Sequence, residues 1–179
     1  MENTESRPES GDVIELILAD HRRFEDLLRS MRNADEDRDA ARHAFAALHV
    51  AHAVAEEERV YPRLEKLDAI EEEEAEHGEH EHAEGHEALL AVLECETAEG
   101  QEFDDAVEKL AEVTNHHLTE EELTILNPAR EELDATVRAA LGREFAELRN
   151  RQIDEGCGSV DNVRRLVEKA RSEGLIEQS

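Results

Sequence analysis

Apolar residues along this chain recur three and four positions apart in four separate stretches. From Asp12 onward, Ile14, Ile17, His21, Phe24 and Leu28 fall on one line of a helix. A second stretch places Phe45, Leu48, His52, Ala55 and Arg59 on one seam. It is predicted to end at YPRL, because Pro62 cannot sit inside a helix without loss of a hydrogen bond. Residues 30–39, SMRNADEDRD, interrupt the periodicity and read as a loop. The third stretch opens as EEEEAEHGEHEHAEGH over 71–86, nearly all Glu and His with Gly interruptions, and passes into a stripe of Leu89, Leu90 and Leu93. Gly100 marks a break. The fourth stretch carries Phe103, Val107, Leu110, Thr114, His117 and Glu121 in register, and Pro128 ends or kinks it.

Four amphipathic segments joined by short loops predict an all-α, up-down-up-down four-helix bundle over 12–130. Residues 1–11 read as a disordered leader. Residues 131–179 contain further helical patterns, within ELDATVRAALGREFAELR and SVDNVRRLVEKARSEGLI, and are expected to form one or two extra C-terminal helices, packed on the bundle or loosely attached. No functional role is legible in them.

Composition supports helices: 38% of residues are charged, 3% are aromatic, Trp is absent and there are three prolines. The net charge of −28 repels phosphate backbones and anionic bilayers, which argues against nucleic acid and membrane partners and fits a very soluble protein or one that attracts cations. Two cysteines without a CxxC make neither a disulfide framework nor a thiolate metal site. The polar start MENTESRPESGD is unlike a signal peptide, and no apolar run approaches the roughly 18 residues that span a bilayer, so a cytoplasmic location is expected.

The seams carry polar residues that a plain core would not. His21, His52 and His117 lie on apolar faces of three segments, and each is costly there unless its nitrogens find partners. His52 and Glu56 are four apart, as are His117 and Glu121, so each pair presents an imidazole and a carboxylate on one helix face. The third segment adds His82 and His86, again four apart. Five histidines and two glutamates from four helices exceed one tetrahedral site. They suit two octahedral ions that share carboxylates. Imidazole and carboxylate without thiolate favour iron, manganese or zinc.

The motifs ADHRRFEDLL, HAVAEEERVYP, EHAEGHEALL and HHLTEEELTILNP, taken together, resemble the hemerythrin-like family, also called the HHE cation-binding domain, over about residues 12 to 130. The resemblance implies two iron ions bridged by carboxylates and an oxo or hydroxo group. His82, His86 and His117 would hold one iron. His21 and His52 would hold the other and leave a position open for dioxygen, with Glu56 and Glu121 as bridges. The classical family has an aspartate five residues after its last ligand histidine. Here Glu121 lies at four and Glu122 at five, so either glutamate is a candidate bridge. His116 and Glu120 repeat the spacing off the seam.

Nearby residues have plainer readings. His49 is a partly buried polar residue, or else supports or substitutes for a ligand. His77 and His80 belong to a solvated helix start or loop, or else to accessory metal capture. His43 is expected to be exposed, Tyr61 to pack where the second helix ends or else to hydrogen-bond near the site, and Cys95 to be a small core or boundary residue. Cys157, between two glycines, is a candidate exposed thiol.

The resemblance implies a non-haem di-iron protein that binds or reacts with dioxygen: a carrier, a sensor, or a scavenger of peroxide or nitric oxide. Peroxide removal would make it an enzyme. The alternative is an iron or other metal storage or buffering protein without redox chemistry. A third reading is an acidic helical bundle for protein contacts, with incidental histidines.

Overall fold

The computed structural model describes residues 7–177, which are helical with no strand. The helices are α1 (Val13–Arg32), α2 (Arg38–Ala55), α3 (Tyr61–Lys66), α4 (Glu72–Glu94), α5 (Gly100–Glu121), α6 (Asn127–Glu132), α7 (Ala135–Asp154) and α8 (Val160–Glu173). Starts are set by acceptors that take orphan amides. The Asp12 carboxylate accepts from the Ile14 amide, Asp37 from Ala40, Asp134 from Thr136 and Val137, and the Ser159 hydroxyl from Asn162. Asp37 starts α2 inside the expected loop, which shrinks to residues 33–37. Reciprocal capping by Glu71 and Glu74 starts α4, so the Glu/His tract is helical almost throughout.

Neither proline stops its helix. Glu56–Val60 and Glu122–Leu126 form wide, π-type turns, after which α3 and α6 resume with Pro62 and Pro128 in their first turns. A proline lacks an N–H and collides with the carbonyl four residues back, and one extra residue in the turn relieves both faults. The Tyr61 amide thus bonds the Glu56 carbonyl, five residues away. The inserted residue also shifts the register beyond Glu56. Arg59, placed on the seam by spacing, is 40% exposed instead.

The bundle consists of α1, α2 with α3, α4, and α5 with α6. Around it α1 packs on α2 and α5, and α4 packs on α5 and α2. The core has two apolar halves. Ile14, Ile17, Leu64, Ile125 and Phe145 belong to one, and Phe24, Phe45, Leu89, Leu110 and Val167 to the other. Along α1, His21 falls between Ile17 and Phe24, and His117 falls between Leu110 of α5 and Ile125 of the wide turn that follows it. A polar layer therefore divides the core.

The C-terminal helices are integral rather than loosely attached. Helix α7 packs on α1 and α2, and α8 packs on α4. Val163 and Val167 are fully buried. The Arg138 Nε donates to Asp12 Oδ2 at 2.7 Å, which ties α7 to the start of α1. Of the expected leader 1–11, residues 1–6 lie outside the described residues. Arg7 bonds Asp154, and the Pro8 carbonyl accepts from Asn150, so residues 7 and 8 lie against α7. Cys157 is buried, not exposed: its Sγ lies 3.3 Å from the Ala47 carbonyl, and burial pushes the thiol up to about 11. No helix among the described residues is long and apolar enough to cross a membrane.

Candidate metal centre

His21, His52, His82 and His117 come from α1, α2, α4 and α5, and each is 5% exposed or less. Glu56 and Glu121, at the entrances of the two wide turns, are also buried. Donor atoms of His21, His52, Glu56 and Glu121 converge in one group, and those of Glu56, His82 and His117 in a second. Glu56 is common to both. Its Oε1 lies 3.1 Å from His52 Nε2, and its Oε2 lies 3.1 Å from His82 Nε2. Glu121 Oε2 lies 3.1 Å from His21 Nε2 and 3.8 Å from His117 Nε2.

The outward nitrogens explain why the inner ones converge. His52 Nδ1 bonds Asp20 Oδ2 at 3.0 Å, His82 Nδ1 bonds Glu57 Oε1 at 2.8 Å, His117 Nδ1 bonds Glu81 Oε2 at 2.9 Å, and His21 Nδ1 bonds Glu122 Oε1 at 2.9 Å. A carboxylate only accepts, so each Nδ1 carries the proton and each neutral imidazole keeps its lone pair on Nε2. The four bonds form a closed ring. Asp20 of α1 holds the imidazole of α2, Glu57 after α2 holds that of α4, Glu81 of α4 holds that of α5, and Glu122 after α5 holds that of α1. Each of these acids directly adjoins a ligand candidate in sequence, yet serves the next helix.

Two lone pairs 3.1 Å apart repel unless a proton or a cation sits between them. Nε2 of His52, His82 and His117, and Oε1 of Glu56, are buried and lie off the line of any hydrogen bond among the described residues. Neighbouring ligands on an octahedral ion with bonds near 2.1 Å are about 3.0 Å apart. The spacing at Glu56 therefore fits coordination better than hydrogen bonding. The donor set, imidazole and carboxylate without thiolate, fits a borderline transition metal.

Without a metal the layer still favours positive charge. Burial depresses the His52 imidazole, but Glu56 and Asp20 outweigh it and raise its pKa to about 10. Burial likewise opposes Glu56 and Glu57 at His82, and the carboxylates again win, at about 10. Burial raises Glu56, and its facing imidazoles outweigh that and hold it well below the usual carboxylate range.

Three further residues shape the layer. The Tyr61 hydroxyl donates to Glu121 Oε1 at 2.9 Å and lies 3.4 Å from Glu56 Oε2, so it touches both central carboxylates rather than merely packing at a helix end. Arg149 of α7 is buried, and its Nη1 donates to Asp20 Oδ1 at 2.7 Å, behind His52. His86 is buried beside the two groups but belongs to neither. Its Nε2 has no hydrogen-bond partner among the described residues, and burial followed by the nearby His82 lowers it to about 4, so it stays neutral. The ring of His49, itself buried, meets His86 edge-on at 5.1 Å and stacks on Phe45.

The glycines of the Glu/His tract make room for this layer. A Cβ on Gly85 would lie 2.8 Å from His49 Nε2, and one on Gly78 would lie 2.9 Å from the Tyr61 hydroxyl. A cleft of about 160 Å³ between α4 and α8 reaches His86 and Glu57, walled by Leu166, Ala170 and Leu175.

An all-helical bundle with a buried layer of imidazoles and carboxylates defines a cation-binding four-helix protein. The family model of the hemerythrin HHE cation binding domain matches residues 12–129, and the chain belongs to that family. No curated protein and no solved structure matches the chain significantly.

Proposed function

We propose that the buried layer holds two iron ions and that the chain binds or reacts with dioxygen, peroxide or nitric oxide. In this reading His82, His86 and His117 hold one ion, His21 and His52 hold the other, and Glu56 and Glu121 join them. The observation that carries the reading is the convergence of four Nε2 lone pairs on two shared carboxylates, each imidazole fixed from behind by its own acid. Two ferrous ions held there would supply two electrons to a small oxidant.

The chain's own residues set the conditions. Glu56 offers one oxygen to each group, which fixes their separation. Phe24 and Phe145 meet His52 edge-on at 5.2 and 5.7 Å and keep water from that end. With His86 counted at the other end, the His21–His52 end would have one histidine fewer, which would leave room there for a small ligand. The Tyr61 hydroxyl oxygen lies 2.9 Å from Glu121 Oε1 and holds its proton on that carboxylate. A site rich in imidazole favours reversible binding over hydroxylation. The role is therefore that of a carrier, sensor or scavenger, and peroxide removal would make it an enzyme.

The test is metal content of the purified protein, with an optical spectrum on adding oxygen to the anaerobically reduced form. Two irons per chain and a reversible oxygen-dependent band are expected. Many divalent metals bound with similar affinity and variable stoichiometry would point instead to a buffer. No retained iron after anaerobic reconstitution would overturn the di-iron reading.

A further inference from the structure

The ring acid Glu81 has a second oxygen that the buried layer does not use. Its Oε2 accepts from His117 Nδ1, while its Oε1 faces the other way, towards His116 Nε2 at 3.1 Å and His77 Nε2 at 3.4 Å. His77 lies one turn before Glu81 on α4, and His116 lies across the groove on α5, so two helices contribute. The two imidazoles are 53% and 60% exposed, whereas the Glu81 carboxylate is 4% exposed. Its Oε1 is buried and has no hydrogen-bond partner among the described residues. All three donor atoms lie within 4.8 Å of one another.

We propose that His77, Glu81 and His116 form a separate, exchangeable site for a divalent transition-metal cation on the surface of the bundle. A buried carboxylate oxygen without a donor is expensive, and a cation removes the cost. Two imidazoles and one carboxylate suit zinc, copper(II), nickel or ferrous iron better than calcium or magnesium. Three protein donors leave the remaining positions to water, so the ion exchanges with solvent. His80, in the same acidic tract, faces Glu84, which is itself 45% exposed, and has no comparable buried oxygen. The site is therefore a defined triad rather than a property of the tract. It also shares one carboxylate with the buried layer. An ion on Oε1 draws charge from Oε2 and loosens its hold on His117, a coupling that rests on the ligand role proposed for His117.

Zinc titration of the full-length, metal-loaded protein tests this, comparing wild type with the double variant H77A/H116A and with H80A. Both substituted histidines of the triad are more than half exposed, so the fold is untouched. Wild type and H80A are expected to bind one zinc per chain that H77A/H116A does not. Equal zinc binding by wild type and H77A/H116A would overturn the proposal, as would an equal loss in H80A. Because the result is a difference between variants, it holds whether or not the buried layer contains iron, which is measured separately in the same samples.

Discussion

Arg149 and Asp20 are 129 residues apart in sequence and meet at 2.7 Å inside the protein, where Asp20 also accepts a hydrogen bond from His52 Nδ1. The C-terminal helix α7 thus reaches the metal layer through one acid. Arg149→Met would leave the buried Asp20 Oδ1 without its cationic partner. The expected cost is about 3–5 kcal/mol, read from urea unfolding. Metal affinity is expected to fall about 10- to 100-fold, read by competition with a chelator. An unchanged affinity would mean that α7 serves only as packing.

His52→Ala removes a proposed ligand and the group that Glu56 and Asp20 share. Metal affinity should fall by more than about 100-fold, and the melting temperature should fall with it, since bound metal stabilises the native state. His43→Ala lies on the same helix at a site 54% exposed and should change neither quantity. Equal damage from both substitutions would remove His52 from the ligand set.

Tyr61→Phe deletes one hydroxyl and leaves Glu121 Oε1 without its donor. A loss of about 1.5–3 kcal/mol is expected in thermal or urea unfolding. Metal content should persist, because Tyr61 is not among the proposed ligands, while the optical spectrum of the loaded protein should shift. Loss of metal would mean that the hydroxyl coordinates directly.

Gly85→Ala sets two effects against each other. Alanine favours a helix over glycine by about 1 kcal/mol. Its Cβ would stand 2.8 Å from His49, whose ring is confined between Phe45 and His86. Overpacking of this kind costs about 1–3 kcal/mol, so net destabilisation on the order of 1 kcal/mol is expected in urea unfolding. A more stable variant would show that His49 has room to retreat.

The metal-free protein should lose stability as pH rises. His52 and His82 are held at about 10 in the folded chain, against about 6.5 unfolded. A group whose folded pKa is raised stabilises fully below the unfolded value, and that contribution disappears as pH climbs through the folded value. Urea midpoints of chelator-treated protein should therefore fall between pH 6.5 and about 10. Metal displaces the same protons, so metal affinity should rise across that window. A midpoint that rose with pH in the metal-free protein would contradict this account.

Much of the bundle is legible in the spacing of apolar residues, because a period near 3.6 needs no tertiary knowledge. Ile14, Ile17, Phe24, Phe103 and Val107 are all buried where that period puts them. The register fails at Arg59, since a wide turn adds one residue that a periodic count cannot foresee. The central imidazoles and glutamates are visible because they break an apolar seam. The acids behind them are not: Asp20, Glu57 and Glu81 sit in a chain with 48 acidic residues and look like solvated charge. Their one signal is that each adjoins a ligand candidate. Arg149 carries no such signal, because only the docking of α7 brings it to Asp20. Gly78 and Gly85 read as interruptions of a polar tract, and only the rings of Tyr61 and His49 show why they are needed.

The ring of acids and imidazoles has one unequal link. Three of its bonds join residues 25, 32 and 36 positions apart, whereas Glu122 and His21 are 101 apart. Bringing that last pair together costs more chain entropy than closing any other link, and its acid is 46% exposed, the most open of the four. The seam between α1 and α5 should therefore be the last to form as the chain folds and the first to part in the native state. Breathing along that seam would give an ion a route to the centre while the other three links hold their imidazoles in place. Amide hydrogen exchange should find it as faster exchange flanking His21 and Glu121 than around His82.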